Sequence, residues 1–402
     1  MSTSEIVTVT PVSTVTPVST VSSSSFAGNS AIGFTVPDRV IMNKGSKKGV
    51  LAVMHLEEVR DVLKQITERQ DSKDMTRSLN QLHVSFNNGI MQAGFLTPRG
   101  VPEEMMLVSD HGAQMLADEV IPKNGFKFLR HMAQTDVAGE KLASLSWAWA
   151  ARTATTPRMV RTTNMKFGSD VHRVIRSVHS PTYASYSNYE FVQDILDNAE
   201  QYRNLPVVEF KLMDSAMRLR FAGNEDASAI SLREPIPMVE AWNSEVGRRR
   251  VGLRAGMWKL ICTNGMGSWN QKSEYNWIHR GNSKRISDGV GSAFADILTE
   301  ANGVVESYQR ALLTSIDSVA LFIEKTIGEF LTGEQLIKAQ NALNHSTATT
   351  HDTLAAAVDA VTLIAQDESS MFDQYELEKL AASMMRKGTE MAGSSHHIVV
   401  DN

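Results

Sequence analysis

The chain contains a single cysteine, Cys262, so it can form no internal disulfide and no cysteine-rich zinc site, the cysteine usage of a reducing compartment. It has no apolar run long enough to cross a bilayer, and its first residues, MSTSEIVTVT, lack the basic and apolar segments of a secretory signal. A cytoplasmic protein without a membrane partner is expected. Also missing are HExxH, GxSxG, a phosphate-binding P-loop and HxE with CxxC, and the acidic residues of the middle third form no DxD pair. No cofactor and no metal are expected. The adjacent His396 and His397 read as solvated, because two ligands without a third hold a metal poorly. Some nucleases work with a few dispersed carboxylates, so an enzyme of that kind stays open as a further alternative.

What is present is ordinary for a globular protein: 402 residues, 42% hydrophobic and 21% charged. The net charge of -5 conceals a segregation. Residues 151–290 carry 20 Lys and Arg against 14 Asp and Glu, whereas residues 291–402 carry 6 against 16. A basic segment in an acidic chain is a footprint for a polyanion, since Lys and Arg release counterions on meeting phosphate. The competing expectation is that the basic segment packs against the acidic C-terminal helices and neutralises them.

The patterning predicts an α+β fold: an antiparallel β-sheet core flanked by helices, with a long C-terminal helical section. Residues 1–30, with VTPVST repeated at Val9–Thr14 and Val15–Thr20, read as a tail without a fold. Residues 31–150 read as a helical region, on the three- and four-residue spacing of apolar side chains in HLEEVRDVLKQITERQ and MLVSDHGAQMLADEVI. Residues 151–290 alternate as strands do, interrupted by a helix that Ser187 and Glu190 open as a capping box. VVEFKLM and MRLRF predict one hairpin about Asp214–Ala216, and a longer pair turns near Glu245–Gly247. Residues 291–388 are helical again, with a break expected at Gly303, and residues 389–402 read as a frayed tail.

Four stretches, in this order, resemble one family. HRVIRSVHSPTYASYSNYEFVQDIL is similar to an Arg-x-x-x-Ser-x-x-Tyr segment leading into a helix, loosened here between Arg176 and Tyr183. MVEAWNSEVGRRRVGLRAGMWKLICTNGM resembles a long hairpin ending in a Cys-Asn/Thr-Asn-Gly box, and HRGNSKRISDGV resembles the basic stretch after it. TLAAAVDAVTLIAQDESSMFDQYELEKLAASMM resembles the family's paired C-terminal helices. The family is that of phage and plasmid-like proteins carrying domain of unknown function 932. The resemblance spans about Met105–Met385 and implies a home on a mobile element in a bacterial host cell. It implies no established activity, so no catalytic residue is carried over.

Cys262 shares a strand face with Leu260 and Trp258, which reads as a core cysteine more readily than as a nucleophile. Asn264-Gly265 signals a type I′ turn. Tyr183, Tyr186 and Tyr189 read as residues packing a loop onto the sheet. The candidate nucleic-acid-binding residues are Arg248, Arg249, Arg250, Arg254 and Lys259 on the hairpin, then Lys272, Trp277, His279, Arg280, Lys284 and Arg285, interleaved with Trp269 and Tyr275. Single-strand binders combine a basic groove with aromatic platforms in this way. The expected function is therefore a non-enzymatic nucleic-acid-binding accessory protein, handling single-stranded DNA in replication or recombination. A homo-oligomer is among the partners considered. The alternative is a structural or interaction protein whose arginine face only balances the charge of the C-terminal helices.

Overall fold

The computed structural model describes residues 39–41, 54–121, 124–167, 169–198, 204–223, 235–261, 264–343, 352–368 and 371–400. Over these the chain is α+β, with two mainly antiparallel sheets and helices packed on them. The N-terminal tail reading falls outside the described residues. Strands β1 (Arg39–Ile41) and β2 (Met54–His55) precede α1 (Leu56–Gln70), the amphipathic helix expected there, which buries Leu56, Val59 and Leu63. Then come β3 (Lys73–Ser78), β4 (Leu82–Asn87), β5 (Ile90–Phe95) and β6 (Met106–Val108), followed by α2 (Asp110–Val120), α3 (Gly125–Ala133) and α4 (Val137–Ala151). The region expected to be helical thus supplies four strands of a six-stranded sheet, and that expectation is corrected. Met106–Val108 looks like a first helical turn in sequence. It is a strand because Ser109 caps α2 instead, its Oγ accepting the Gly112 N–H at 3.1 Å.

The first sheet runs β3-β7-β8-β6-β5-β4, where β7 is Pro157–Phe167 and β8 is Asp170–His179; only β6 and β8 pair in parallel. Helices α2, α3 and α4 bury Leu116, Leu129 and Trp147 against Val84, Met91 and Ile175. Gly112 is required there, since a Cβ would lie 2.6 Å from the Ile175 carbonyl oxygen.

The second sheet follows α5 (Asn188–Asn198), whose capping box is present as expected: Ser187 Oγ accepts from Glu190 N–H and Glu190 Oε2 from Ser187 N–H. Its strands are β9 (Pro206–Leu212), β10 (Met217–Ala222), β11 (Ile236–Asn243), β12 (Val251–Ile261) and β13 (Asn264–Trp277), in the order β1-β9-β10-β11-β12-β13, with β2 also on β9. The two hairpins expected here form. Asn264 and Gly265, however, are paired with Ile261 and Leu260 inside the ladder and make no turn, because the strand register sets where the hairpin reverses. Cys262 lies outside the described residues.

One face of this sheet, with Leu219, Phe221, Val239 and Leu253, packs on α5 and on α6 (Ser283–Leu313). The other face carries Arg218, Arg220, Glu240 and Arg254. After α6 come β14 (Ser315–Ile316), α7 (Val319–Ile327), α8 (Gly333–Ala342), α9 (Leu354–Asp367), α10 (Met371–Ala392) and β15 (His397–Ile398). Two expectations fail in this section. Helix α6 runs unbroken through Gly303 and stops at Thr314, since burial of Ile297, Ala301 and Val304 outweighs one glycine. The stretch read as a frayed tail continues α10 to Ala392 and then pairs β15 with β14 in parallel, burying Ile398. Among the described residues no helix is long and apolar enough to cross a membrane.

Two glycines of α6 give opposite expectations. A Cβ at Gly289 would lie 2.2 Å from Trp277 Nε1, whereas one at Gly303 meets open space. Gly289→Ala should destabilise by about 1–3 kcal/mol through overpacking, and Gly303→Ala should stabilise by about 1 kcal/mol through helix propensity, both read by urea unfolding.

Candidate nucleic-acid interface

The alternation in MRLRF turns Arg218 and Arg220 to the face of β10 opposite Leu219 and Phe221. That face is closed by α10. Glu240 on β11 accepts from Arg218 Nε at 3.1 Å, Arg220 Nε at 2.8 Å and Arg254 Nη2 at 3.2 Å. Glu378 of α10 sits on the other side of the same guanidiniums, accepting from Arg218 Nη2 at 3.0 Å, from Arg254 Nη2 at 3.2 Å and from Arg220 Nη2. Glu209 of β9 adds a carboxylate 3.0 Å from Arg220 Nη1. All six side chains are buried. Burial opposes the charge on Glu240, but Arg254, Arg220 and Arg249 outweigh it and hold its carboxyl below the ordinary range. At Glu378 burial and the neighbouring Glu240 prevail over the arginines and raise the carboxyl.

Arg254, named above as a candidate for phosphate contact, is therefore not presented to solvent: it is 1% exposed and ion-paired on both sides. Arg249 is half-buried, its guanidinium 3.6 Å from the Tyr375 ring centroid and 4.7 Å from that of Trp242. His279 is buried as well, and Trp277 is half-buried against α6. The physical reason is common to these corrections. A strand that alternates Arg with apolar residues has a polar face, but nothing local says whether a helix from elsewhere in the chain covers it. The side chains of Lys259, Trp269 and Lys272 lie outside the described residues.

The remaining cations gather at one corner. The β11–β12 turn presents Arg248 and Arg250, both exposed, with Gly247 at φ +69° giving the reversal. Val251 pairs with Trp277, so the chain leaving β13 runs beside this turn and exposes Arg280, Lys284 and Arg285 at the start of α6. Asn282 caps that helix, its side chain accepting the Lys284 N–H at 2.9 Å. Lys284 is paired with Asp288; Arg248, Arg250, Arg280 and Arg285 have no ion pair among the described residues. Arg248 lies over the Phe372 ring at 5.0 Å.

A stack of rings stiffens the corner from below. Tyr183 lies between His179, at a centroid distance of 3.8 Å, and His279, at 5.1 Å, all three nearly parallel. The Tyr183 hydroxyl donates to the carbonyls of Ser244 and Glu245, both at 3.3 Å. His279 Nδ1 lies 3.1 Å from the Ala184 carbonyl oxygen, which makes Nδ1 the donor, and its Nε2 is buried without a partner among the described residues. Burial lowers His179 to about 3, with Arg161 adding to it, and lowers His279 to about 4. Of the three tyrosines read together in the sequence, Tyr186 packs in the core with its hydroxyl on Asp194, Tyr189 is half-buried against the same core, and only Tyr183 reaches this corner.

The first sheet reaches in to hold the turn. Arg161 of β7 donates from Nη1 to the Glu245 carbonyl at 2.7 Å while its Nε and Nη2 grip Asp74. Arg176 of β8 bridges Glu245 Oε2 at 3.1 Å and Asp214 Oδ1 at 2.9 Å. Burial opposes ionisation of Glu245, but Arg176, the Asn188 N–H and Arg161 outweigh it and keep the carboxyl low. Asp214 and Glu245 were legible only as turn positions and Arg176 only as part of a family-like segment; the clamp itself was not, because its partners lie tens of residues apart. Among the described residues no group of three or more His, Cys, Asp or Glu is placed to hold a metal ion.

Comparison of the chain with protein-family models, with curated proteins and with solved structures returned no match. The likeness to domain of unknown function 932 rests on the four quoted stretches alone.

Removing one member of the buried cluster leaves charges unpaired in a dry site, so Glu378→Ala should lower unfolding free energy by about 3–5 kcal/mol in a denaturant titration. The imidazoles give a pH dependence of definite sign. Their folded values lie below the unfolded value near 6.5, so the unfolded chain binds more protons as pH falls from about 6.5 towards 4 and stability drops with it. Each histidine should contribute a slope approaching about 1.4 kcal/mol per pH unit in that window. His279→Gln should remove one such contribution, as measured by unfolding at stepped pH.

Proposed function

We propose that the chain is a non-enzymatic single-strand nucleic-acid-binding accessory protein of a phage or plasmid, acting on single-stranded DNA in replication or recombination. The strand's phosphates dock at the corner formed by Arg248, Arg250, Arg280, Lys284 and Arg285. The observation that carries this reading is the gathering of five exposed cations where the β11–β12 turn meets the start of α6, four of them without an ion pair among the described residues. The N-terminus of α6 adds the positive end of its dipole, although the Lys284 and Arg285 N–H groups are already held by Asn282. Tyr275 on edge strand β13 is 38% exposed and lies parallel to Trp277 at 6.3 Å, a platform on which a base can stack. The mobile-element setting comes from the family resemblance.

A second reading, a structural or interaction protein whose arginines balance internal charge, is favoured by the sealing of Arg218, Arg220 and Arg254 against Glu378. A salt titration separates the two. With a fluorescent single-stranded oligonucleotide, the Arg250→Ala, Arg280→Ala, Arg285→Ala protein should bind more weakly, and its log–log salt slope should fall by about two, at about 0.7 per lost phosphate contact. Absence of binding at low salt, or an unchanged slope in the triple variant, sinks the nucleic-acid reading in favour of the structural one.

A further inference from the structure

The outer face of α4 leaves a seam of large apolar side chains uncovered: Leu142, Leu145 and Trp149, at three- and four-residue steps, are 54%, 67% and 67% exposed. Across a shallow groove Phe128 of α3 adds another 52% exposed ring, and Ile121 and Ala150 complete the lining. Contiguous patches of this kind mark interaction sites on soluble surfaces. The charges around the seam are mainly basic. Lys127, Arg130, Lys141 and Arg152 have no ion pair among the described residues, and Arg152 rests on the Trp149 ring at 4.9 Å. Of the acids of the same segment, Glu140 turns inwards to the Gly89 N–H, while Asp136 stays at the surface as the cap of α4, accepting the Gly139 N–H.

The same chain carries a surface of opposite character. At the corner between α7 and α8, Phe330 and Ile337 are 59% and 60% exposed, and the exposed Glu324, Glu329 and Glu334 beside them outnumber Lys325 and Lys338, of which Lys338 pairs with Glu334 at 2.7 Å. The end of α9 lies against this corner, Gln335 donating to Glu368 at 2.8 Å, and adds Asp367 to the acidic rim. We infer that the basic apolar face of α3 and α4 docks on the acidic apolar corner of α7 and α8 in a second copy of the chain. Both faces hold exposed aromatic and aliphatic side chains, and their rims are of opposite charge. Because the two faces are different patches, the contact is heterologous and runs head to tail, giving rings or open chains in place of a closed dimer. This assembly does not depend on the nucleic-acid reading.

Sedimentation velocity on the full chain tests it. The wild-type protein should form species beyond the dimer that grow with concentration and shrink with added salt. Leu145→Ser with Trp149→Ala, and separately Phe330→Ser with Ile337→Ser, should each give monomers with unchanged circular dichroism. The two monomeric proteins mixed should form a one-to-one heterodimer, since each keeps the face the other lacks. A wild-type monomer up to about 100 µM, where a micromolar contact is populated, overturns the inference. So does a two-fold dimer that only the α4 variant breaks, or a protein that binds phosphatidylserine vesicles through Trp149 and never self-associates.

Discussion

Everything about the second sheet depends on placing three arginines and three glutamates where no water reaches them. Desolvating each ion costs several kcal/mol, and only mutual pairing offsets that cost. The pairing is supplied from two directions, by Glu209 and Glu240 within the sheet and by Glu378 from α10. The arrangement contributes specificity more than net stability. A one-residue slip of β10 against β11 would turn Arg218 and Arg220 into the apolar layer with Phe294 and move Phe221 beneath α10. The register observed is the one in which every charge finds a partner. Helix α10 is docked by the same contacts that fix the strands.

That cluster also explains the segregation of charge along the chain. The basic middle and the acidic C-terminal third meet in it, since Arg218, Arg220 and Arg254 come from one and Glu378 from the other. Charge counted along the sequence is therefore a poor guide to charge presented to a partner. Of the cations read from the sequence as candidates, those presented to solvent are a small set at one corner, and the arginines of turns and helix starts, not those of strands, supply it.

The hairpins of the second sheet, the capping box at Ser187 and the apolar stripe of α1 were legible because each is written in local spacing. The first sheet was not. Strand β3 is exposed along most of its length and carries no alternation, and β6 is three residues long and runs straight into the α2 cap. Helix α4 escaped for the opposite reason: LASLSWAWAA is apolar all round, so no polar face reveals its period, and the side of it left uncovered is as apolar as the side that is buried. At the candidate interface, Arg248, Arg250, Arg280, Lys284 and Arg285 could be named from sequence, whereas the fate of Arg254 and His279 could not. Their surroundings are set by Glu378 and Tyr183, 124 and 96 residues away.

The corner that carries the exposed cations belongs to neither sheet alone. Its turn is part of the second sheet, yet the Glu245 side chain and carbonyl are held by Arg176 and Arg161 from the first. The Tyr183 ring that supports the turn comes from the connection between the sheets, wedged between the imidazole of His179 at the end of β8 and that of His279 just after β13. Removing either Glu245 or Arg176 would leave the other ion buried without its partner across the junction of the sheets, a cost of several kcal/mol. A load on Arg248 or Arg250 is thus passed through Glu245 to both sheets at once. The rim is therefore rigid because it is the place where the two halves of the fold are fastened together.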